Sequence, residues 1–417
     1  MEVKLNYAKT TVSLDVPEKN LVGVLTPNQV EVSLTDADEV RRSLANPIGT
    51  PPLHKIVKPG ETVCIITSDI TRPVPSYRII PAVLEELNQA GVPDSDIFIV
   101  FGLGAHRHQT EAEMRGLVGD AVYDRVRCMD SDPSGQNVTP LGVTDNGTVV
   151  DIFTPVVEAD RVICIGNVEF HYFAGYSGGG KAIMPGVATH DSIQTNHRMM
   201  VHPDATAGRI EGNPVRQEMD RITEFVPIDF IVNVVLNEKK TIIHSAAGHH
   251  VKAHREACLF LDHLYKKVLS ERVDIVVVSP GGFPKDINVY QAQKALDNAK
   301  YAVKKDGIII WSAACTEGLG EAKFEEWMLQ YTPQQRLAKL DEQFVLGGHK
   351  AAAISLVQQN ARIILVSDLP QDFVESLHLE HAADLQTAFD QALAEKGADA
   401  SVVVMPYGGS TLPFVES

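Results

Sequence analysis

The chain has 417 residues, of which 44% are hydrophobic and 22% charged, and a formal net charge of −17 at pH 7. That length is enough for two domains of ordinary size, each with its own core, and the composition is that of a soluble globular protein. The acidic balance argues against nucleic acid or an anionic membrane as partner, since either would require a basic face.

The opening segment, MEVKLNYAKTTVSLDV (1–16), alternates as a strand does and lacks the apolar centre of a signal peptide. No apolar run approaches the roughly eighteen residues of a membrane span. Cys64, Cys128, Cys164, Cys258 and Cys315 are scattered without C-x-x-C spacing. Those in strand-like surroundings behave as small hydrophobes, and together the thiols predict a reducing cytoplasm.

Apolar runs at 63–69 (VCIITSD), 97–104 (IFIVFGLG), 161–168 (RVICIGNV) and 229–236 (DFIVNVVL) read as buried strands. Helical patterns separate them, among them 75–91, which stops at Gly91. The tract 247–272 reads as one long amphipathic helix carrying His249, His250, His254 and His263 toward solvent. A second series of strands follows at 273–280, 306–314, 361–369 and 400–406, with helices at 289–304, 321–341, 348–359 and 384–396. Strand and helix in alternation predict an α/β protein: two α/β domains with mainly parallel sheets, divided as 1–270 and 271–417. The active site is expected in the interdomain cleft, beyond the carboxyl ends of the strands.

Four stretches carry more reactive groups than folding requires, and each begins where an apolar strand ends. In SDITRPVP (68–75), Asp69 and Arg72 lie in a turn stiffened by Pro73 and Pro75. The guanidinium there could grip a carboxylate or phosphate, or simply pair with Asp69. In GLGAHRHQT (102–110), His106 or His108 is placed to act as a general base, or is a solvated loop histidine. The third, 167–203, is the densest. Its GYSGGGKA (175–182) is one residue short of a P-loop, with Ala182 where a hydroxyl should hold magnesium. The run Gly178, Gly179 and Gly180 frees backbone N–H groups to line an anion. Thr189 is a helix cap, and His190 and His197 lie seven apart on the helix that follows. The spacing does not make a zincin site, but a single histidine ligand to a soft or borderline metal stays open. In GGFPKDINVYQAQKAL (281–296), Asp286 or Asn288 can cap a helix on which Gln291 and Lys294 share a face. Lys294 either meets a substrate anion or is a surface lysine. Glu317 and His349–Lys350 have a weaker claim on the cleft.

Taken together, these stretches resemble the nickel-dependent lactate racemase family over nearly the whole length. The resemblance rests on D-x-T-R-P at 69–73, A-H-R at 105–107, H-Y-F-A-G-Y-S-G-G-G-K at 171–181, His197, and Y-Q-x-x-K at 290–294. It implies a racemase that interconverts the D and L forms of lactate or a related 2-hydroxycarboxylate. It further implies hydride transfer to and from a nickel-pincer nucleotide bound covalently through Lys181, with His197 completing the coordination of the nickel. His106 and His171 fall on the two catalytic bases. Asp69, Thr71, Arg72 and Gly178–Gly180 fall on the cofactor site of the N-terminal domain. Arg72, Tyr290, Gln291 and Lys294 fall on the substrate site, the last three from the C-terminal domain. The implied partners are a small 2-hydroxy acid and the enzymes that make and load the cofactor. A P-loop-like kinase or ATPase, or a binding protein without turnover, are the rival readings.

Overall fold

Strands that are apolar on both faces have to be covered on both faces, and this requirement organises each half of the chain. In the computed structural model, which describes residues 1–72 and 74–415, two compact units appear: Val30–Asp262, and Met1–Gln29 with His263–Ser417. Pro73, expected to stiffen the 68–75 turn, lies outside the described residues.

The sheet of the first unit runs Ile242–Gly248, Phe230–Leu236, Arg161–Asn167, Val63–Ser68, Ile97–Gly102, Arg127–Asp130. All neighbours are parallel except the first pair. Ile65, Ile99 and Ile163 are completely buried, and helix Ser76–Gln89 closes one face with Ile79, Ile80, Val83 and Leu87. Three of the reactive stretches leave the carboxyl ends of three adjacent strands, Arg161–Asn167, Val63–Ser68 and Ile97–Gly102. Parallel pairing therefore brings them to one edge of the sheet, where ligands bind in such folds.

The second unit has a wholly parallel sheet in the order Glu380–His381, Ala361–Val366, Val303–Ser312, Val273–Val278, Val402–Met405, Leu21–Val24. Residues 1–29, expected in the N-terminal unit, belong here. Leu21–Val24 pairs with Val402–Met405, and the hairpin Glu2–Tyr7/Thr10–Asp15 sends Val3, Leu5 and Leu14 into the core around Ile275 and Ile308. The helix expected at 321–341 is two, Ala322–Gln330 and Pro333–Glu342. The second is started by a capping box between Thr332 and Gln335, with a proline in its first turn. The tract 247–272 is likewise broken: helix Lys252–Tyr265 gives way to strand Lys266–Leu269, which pairs with Leu412–Val415. Among the described residues no helix is long and apolar enough to cross a membrane.

Candidate active site

The strands Val63–Ser68 and Ile97–Gly102 pair through Ser68 and Gly102, so the turn and loop that follow them lie side by side. His106 Nδ1 is 2.7 Å from Asp69 Oδ2, and Asp69 is only 2% exposed. Thr71 Oγ1 donates to Asp69 Oδ1 at 2.7 Å, and Arg72 Nη1 donates to Thr71 Oγ1 at 2.9 Å. The Asp–Arg pair allowed by the sequence is thus relayed through a threonine. Burial by itself would raise the Asp69 pKa. The His106 bond and charge, then Thr71 and Arg72, outweigh it and hold the carboxyl below its ordinary value. A charged Asp69 fixes the His106 proton on Nδ1 and leaves the basic lone pair on Nε2. Gln109 bolts the turn down, accepting from Ile70 N–H at 2.8 Å and donating to Asp130 at 3.0 Å. His108 is exposed and turned to Asp130, 3.2 Å away, so His106 is the histidine at the turn.

The third stretch begins with a small hairpin in which Phe170–His171 pairs with Gly175–Tyr176. Ala174 N–H donates to His171 Nδ1 at 3.3 Å, which places the proton of the neutral ring on Nε2. The Phe173 ring stands edge-on between two imidazoles, with its centroid 4.6 Å from that of His171 and 4.8 Å from that of His197. Burial, then electrostatic coupling to Lys181, His197, Arg72 and Arg216, pushes the His171 pKa well below its ordinary value. The same interactions show that His171, Lys181, His197 and Arg72 share one neighbourhood.

His197 closes helix His190–His197, whose first turn is capped by Thr189 Oγ1 accepting from Ser192 N–H at 3.3 Å. His190 is exposed and His197 buried, so the two do not form a shared site. Asn196 Oδ1, 3.0 Å from His197 Nδ1, keeps that ring's proton on Nδ1 and its lone pair on Nε2, the form a metal requires. Among the described residues no three His, Cys, Asp or Glu side chains gather to hold a metal. A single imidazole ligand, with the Lys181 amine also acting on the neighbouring His171, suits a metal that arrives inside a larger organic group, and this donor set fits the nickel-pincer nucleotide in that respect.

Of the Gly178, Gly179 and Gly180 N–H groups expected to line an anion, that of Gly179 is engaged within the protein. Gly179 N–H donates to Asn233 Oδ1 at 2.9 Å and Lys181 N–H to Gly178 O at 3.3 Å. A Cβ on Gly179 would meet the His254 ring at 3.0 Å, and one on Gly180 would meet Met219 O at 2.5 Å. The glycines permit close packing that sets Lys181 on the tight turn Gly179–Ala182. Only the two-residue strand Gly175–Tyr176 precedes this turn and no α-helix grows from it, so the P-loop reading fails on context.

In the second unit, Asn288 is the cap of helix Val289–Ala299, its Oδ1 accepting from Gln291 N–H at 2.9 Å. Asp286 is instead fully buried and accepts from Ala8 N–H at 2.7 Å. Gln291 is exposed, and Tyr290 and Lys294 are half-buried. Lys350 lies 3.9 Å from the Tyr290 ring centroid and donates to Tyr290 O at 2.9 Å, a stronger place than the sequence suggested.

Arg216 escaped the sequence reading, and His254, expected to face solvent, is corrected to a buried position. Arg216 and His254 are completely buried beneath the loop that carries Lys181. Arg216 lies between buried Val215 and Met219, and His254 among Ala253, Ala257, Cys258 and Leu261, so helical phase was the available signal.

The chain is similar to known proteins over nearly its whole length. Residues 7–208 match the family model for the lactate racemase N-terminal domain and residues 268–412 that for the lactate racemase C-terminal domain. A lactate racemase of Thermoanaerobacterium thermosaccharolyticum is 31% identical over 421 residues, 98% of either chain. The lactate racemase of Lactiplantibacillus plantarum is 32% identical over 422 residues, 97% of this chain and 98% of its own. Among solved structures, the lactate racemase apoprotein from T. thermosaccharolyticum is similar with a TM-score of 0.91 at 30% identity, covering 99% of this chain and 100% of that one. A Thermotoga maritima protein shares the fold, with a TM-score of 0.68 at 18% identity over 93% of this chain and 100% of its own. Because both family models match and the likeness to these relatives runs nearly end to end, the chain belongs to the lactate racemase family.

Proposed function

We propose that the protein racemises a 2-hydroxy acid, lactate or a close relative, with a nickel-pincer nucleotide tethered to Lys181 and its nickel completed by His197. The observation that carries this reading is the grouping of His171, Lys181, His197 and Arg72, with Asp69–His106 joined to Arg72 through Thr71. When bound, the nucleotide supplies a hydride acceptor at Cα, which avoids forming a carbanion on a weakly acidic carbon.

The protein's own residues do the rest. Arg72 offers a planar fork to the substrate carboxylate, with Lys294, Gln291 and Tyr290 as its further contacts in this reading. His106 Nε2 accepts the hydroxyl proton of one enantiomer, and the Asp69 carboxylate stabilises the imidazolium that results. His171 serves the other enantiomer. Its lowered basicity keeps the ring neutral near pH 7, and to accept at Nε2 it must first hold its proton on Nδ1. Asp69, Thr71 and Arg72 are assigned to the cofactor side, and Gly178, Gly179 and Gly180 shape its loop. The reading also includes loading by cofactor-making enzymes and a cytoplasmic setting, in keeping with the unpaired cysteines.

The test is a chiral assay of loaded protein with L-lactate deuterated at Cα, run beside an intact-mass measurement. D-lactate that keeps the label, made by protein with an adduct on Lys181, is the expected result. Washout of deuterium into water would reject the hydride route, and turnover by protein without the adduct would reject the tether.

A further inference from the structure

Six consecutive carbonyls between His171 and Lys181 each accept a hydrogen bond from residues outside the loop. Phe173 O accepts from Asn213 Nδ2 at 2.8 Å, Ala174 O from Arg216 Nε at 3.2 Å, and Gly175 O from Gly208 N–H at 2.9 Å. Tyr176 O accepts from Arg216 Nη2, Ser177 O from His254 Nε2 at 2.8 Å, and Gly178 O from Arg216 Nη1 at 3.4 Å. One guanidinium therefore holds three alternate carbonyls from three separate nitrogens in a fixed plane, a spread that the single nitrogen of an ammonium does not offer.

The surroundings fix both donors. Asn213 Oδ1 accepts from the N–H groups of Val215 and Arg216 at 3.1 and 3.2 Å, starting helix Pro214–Arg221 and aiming Arg216. Arg255 donates to His254 Nδ1 at 2.6 Å, so the His254 proton sits on Nε2, where Ser177 O needs it. Asp220 lies 3.7 Å from Arg216 Nη1 and also pairs with Arg255, so one carboxylate offsets part of the positive charge of the two guanidiniums. Such an apparatus is more than a loop of this length needs for packing. It fixes the backbone between the two reactive residues through the protein's own donors.

We infer that Arg216 and His254 are positioning residues that lock the 173–179 loop before loading, so that the Lys181 amine is presented in one place for attachment. The inference rests on the tether reading above, and its test separates the two.

The variants are R216K, R216M, H254Q and H254L. Backbone hydrogen exchange is followed in the protein without cofactor, and the Lys181 adduct is measured by mass after loading. In R216M and H254L, exchange in the 173–181 segment should rise about tenfold or more, while the strands of the same unit keep their protection. The adduct fraction of folded protein should fall with it. H254Q, which retains a donor for Ser177 O, should recover most of both losses, and R216K only part. Should R216M fail to fold, R216K and the His254 pair decide the matter. Unchanged exchange in the folded variants, or exchange that rises throughout the unit, overturns the lock. A wild-type protein without adduct but with the expected exchange pattern overturns the tether and leaves the lock standing. An adduct undiminished in variants whose loop has loosened overturns the presentation of the lysine.

Discussion

Asp69 has almost no access to water, yet its carboxylate stays charged because His106 and Thr71 both bond to it and Arg72 adds its charge. In D69N the amide keeps the shape and loses the charge that stabilises a protonated His106. We expect kcat to fall by about 10²-fold or more, the lower range for losing effective general-base catalysis. The Lys181 adduct should remain. Steady-state rates by chiral chromatography check this, and a loaded D69N enzyme within about threefold of wild type would dismiss the dyad. At this scale the sequence was informative about residue type and mute about geometry. It placed Asp69, Arg72 and His106 at strand ends, but the loop's own residues could not choose between His106 and His108, and only the family resemblance pointed to His106. That choice depends on Asp130, on the next strand of the sheet, which takes His108. The threonine relay between Asp69 and Arg72 was equally invisible, because it depends on how a turn folds over itself.

The glycine loop shows how far a motif travels without its context. GYSGGGKA has the composition of a phosphate cradle, yet Gly179 has a φ of 60° and its added Cβ would strike His254. G179A should therefore cost about 1–3 kcal/mol through left-handed strain together with that contact. Urea unfolding of the first unit measures it. As a control, G60A has a φ of 86° and open space around its Cβ, so it isolates the backbone part. A G179A variant no less stable than G60A would show that the His254 contact is soft. Apolar strands such as Val63–Ser68 and Val402–Met405 were legible because burial on both faces leaves a continuous apolar run. The strand Leu21–Val24 was not, since its partner lies at the far end of the chain. His254 was misplaced because its helix was read by composition and not by phase. Ala253, Ala257 and Leu261 mark the buried face on which it falls.

Across the whole molecule, neutral histidines are buried in both units, and this couples folding to pH. His254 in the first unit is held well below its ordinary pKa, by burial and then by Arg216 and Arg255. His349 in the second is only 5% exposed, and burial, with Lys350 beside it, lowers its pKa to about 3. In the unfolded chain both return to about 6.5. Below that pH the unfolded state binds protons the native state refuses, so the stability these rings contribute is full above about pH 6.5 and lost as pH falls. The loss is about 1.4 kcal/mol per pH unit for each such ring. Carboxylates held low, such as Asp69 and Asp274, change stability in the same direction but only below about pH 4. The two tryptophans, Trp311 and Trp327, both belong to the unit that contains His349. Their fluorescence therefore reports that unit alone, and its urea midpoint should fall steadily from about pH 6.5 to about pH 4.5. In H349Q, whose amide cannot titrate, the midpoint should be lower at neutral pH and fall less steeply over the same interval, the remaining slope coming from His378, which burial and then Arg336 also hold below its ordinary pKa. A wild-type midpoint that does not move there would mean that His349 accepts its proton in the folded protein, and that its burial is relieved by opening of helix Gly348–Gln358.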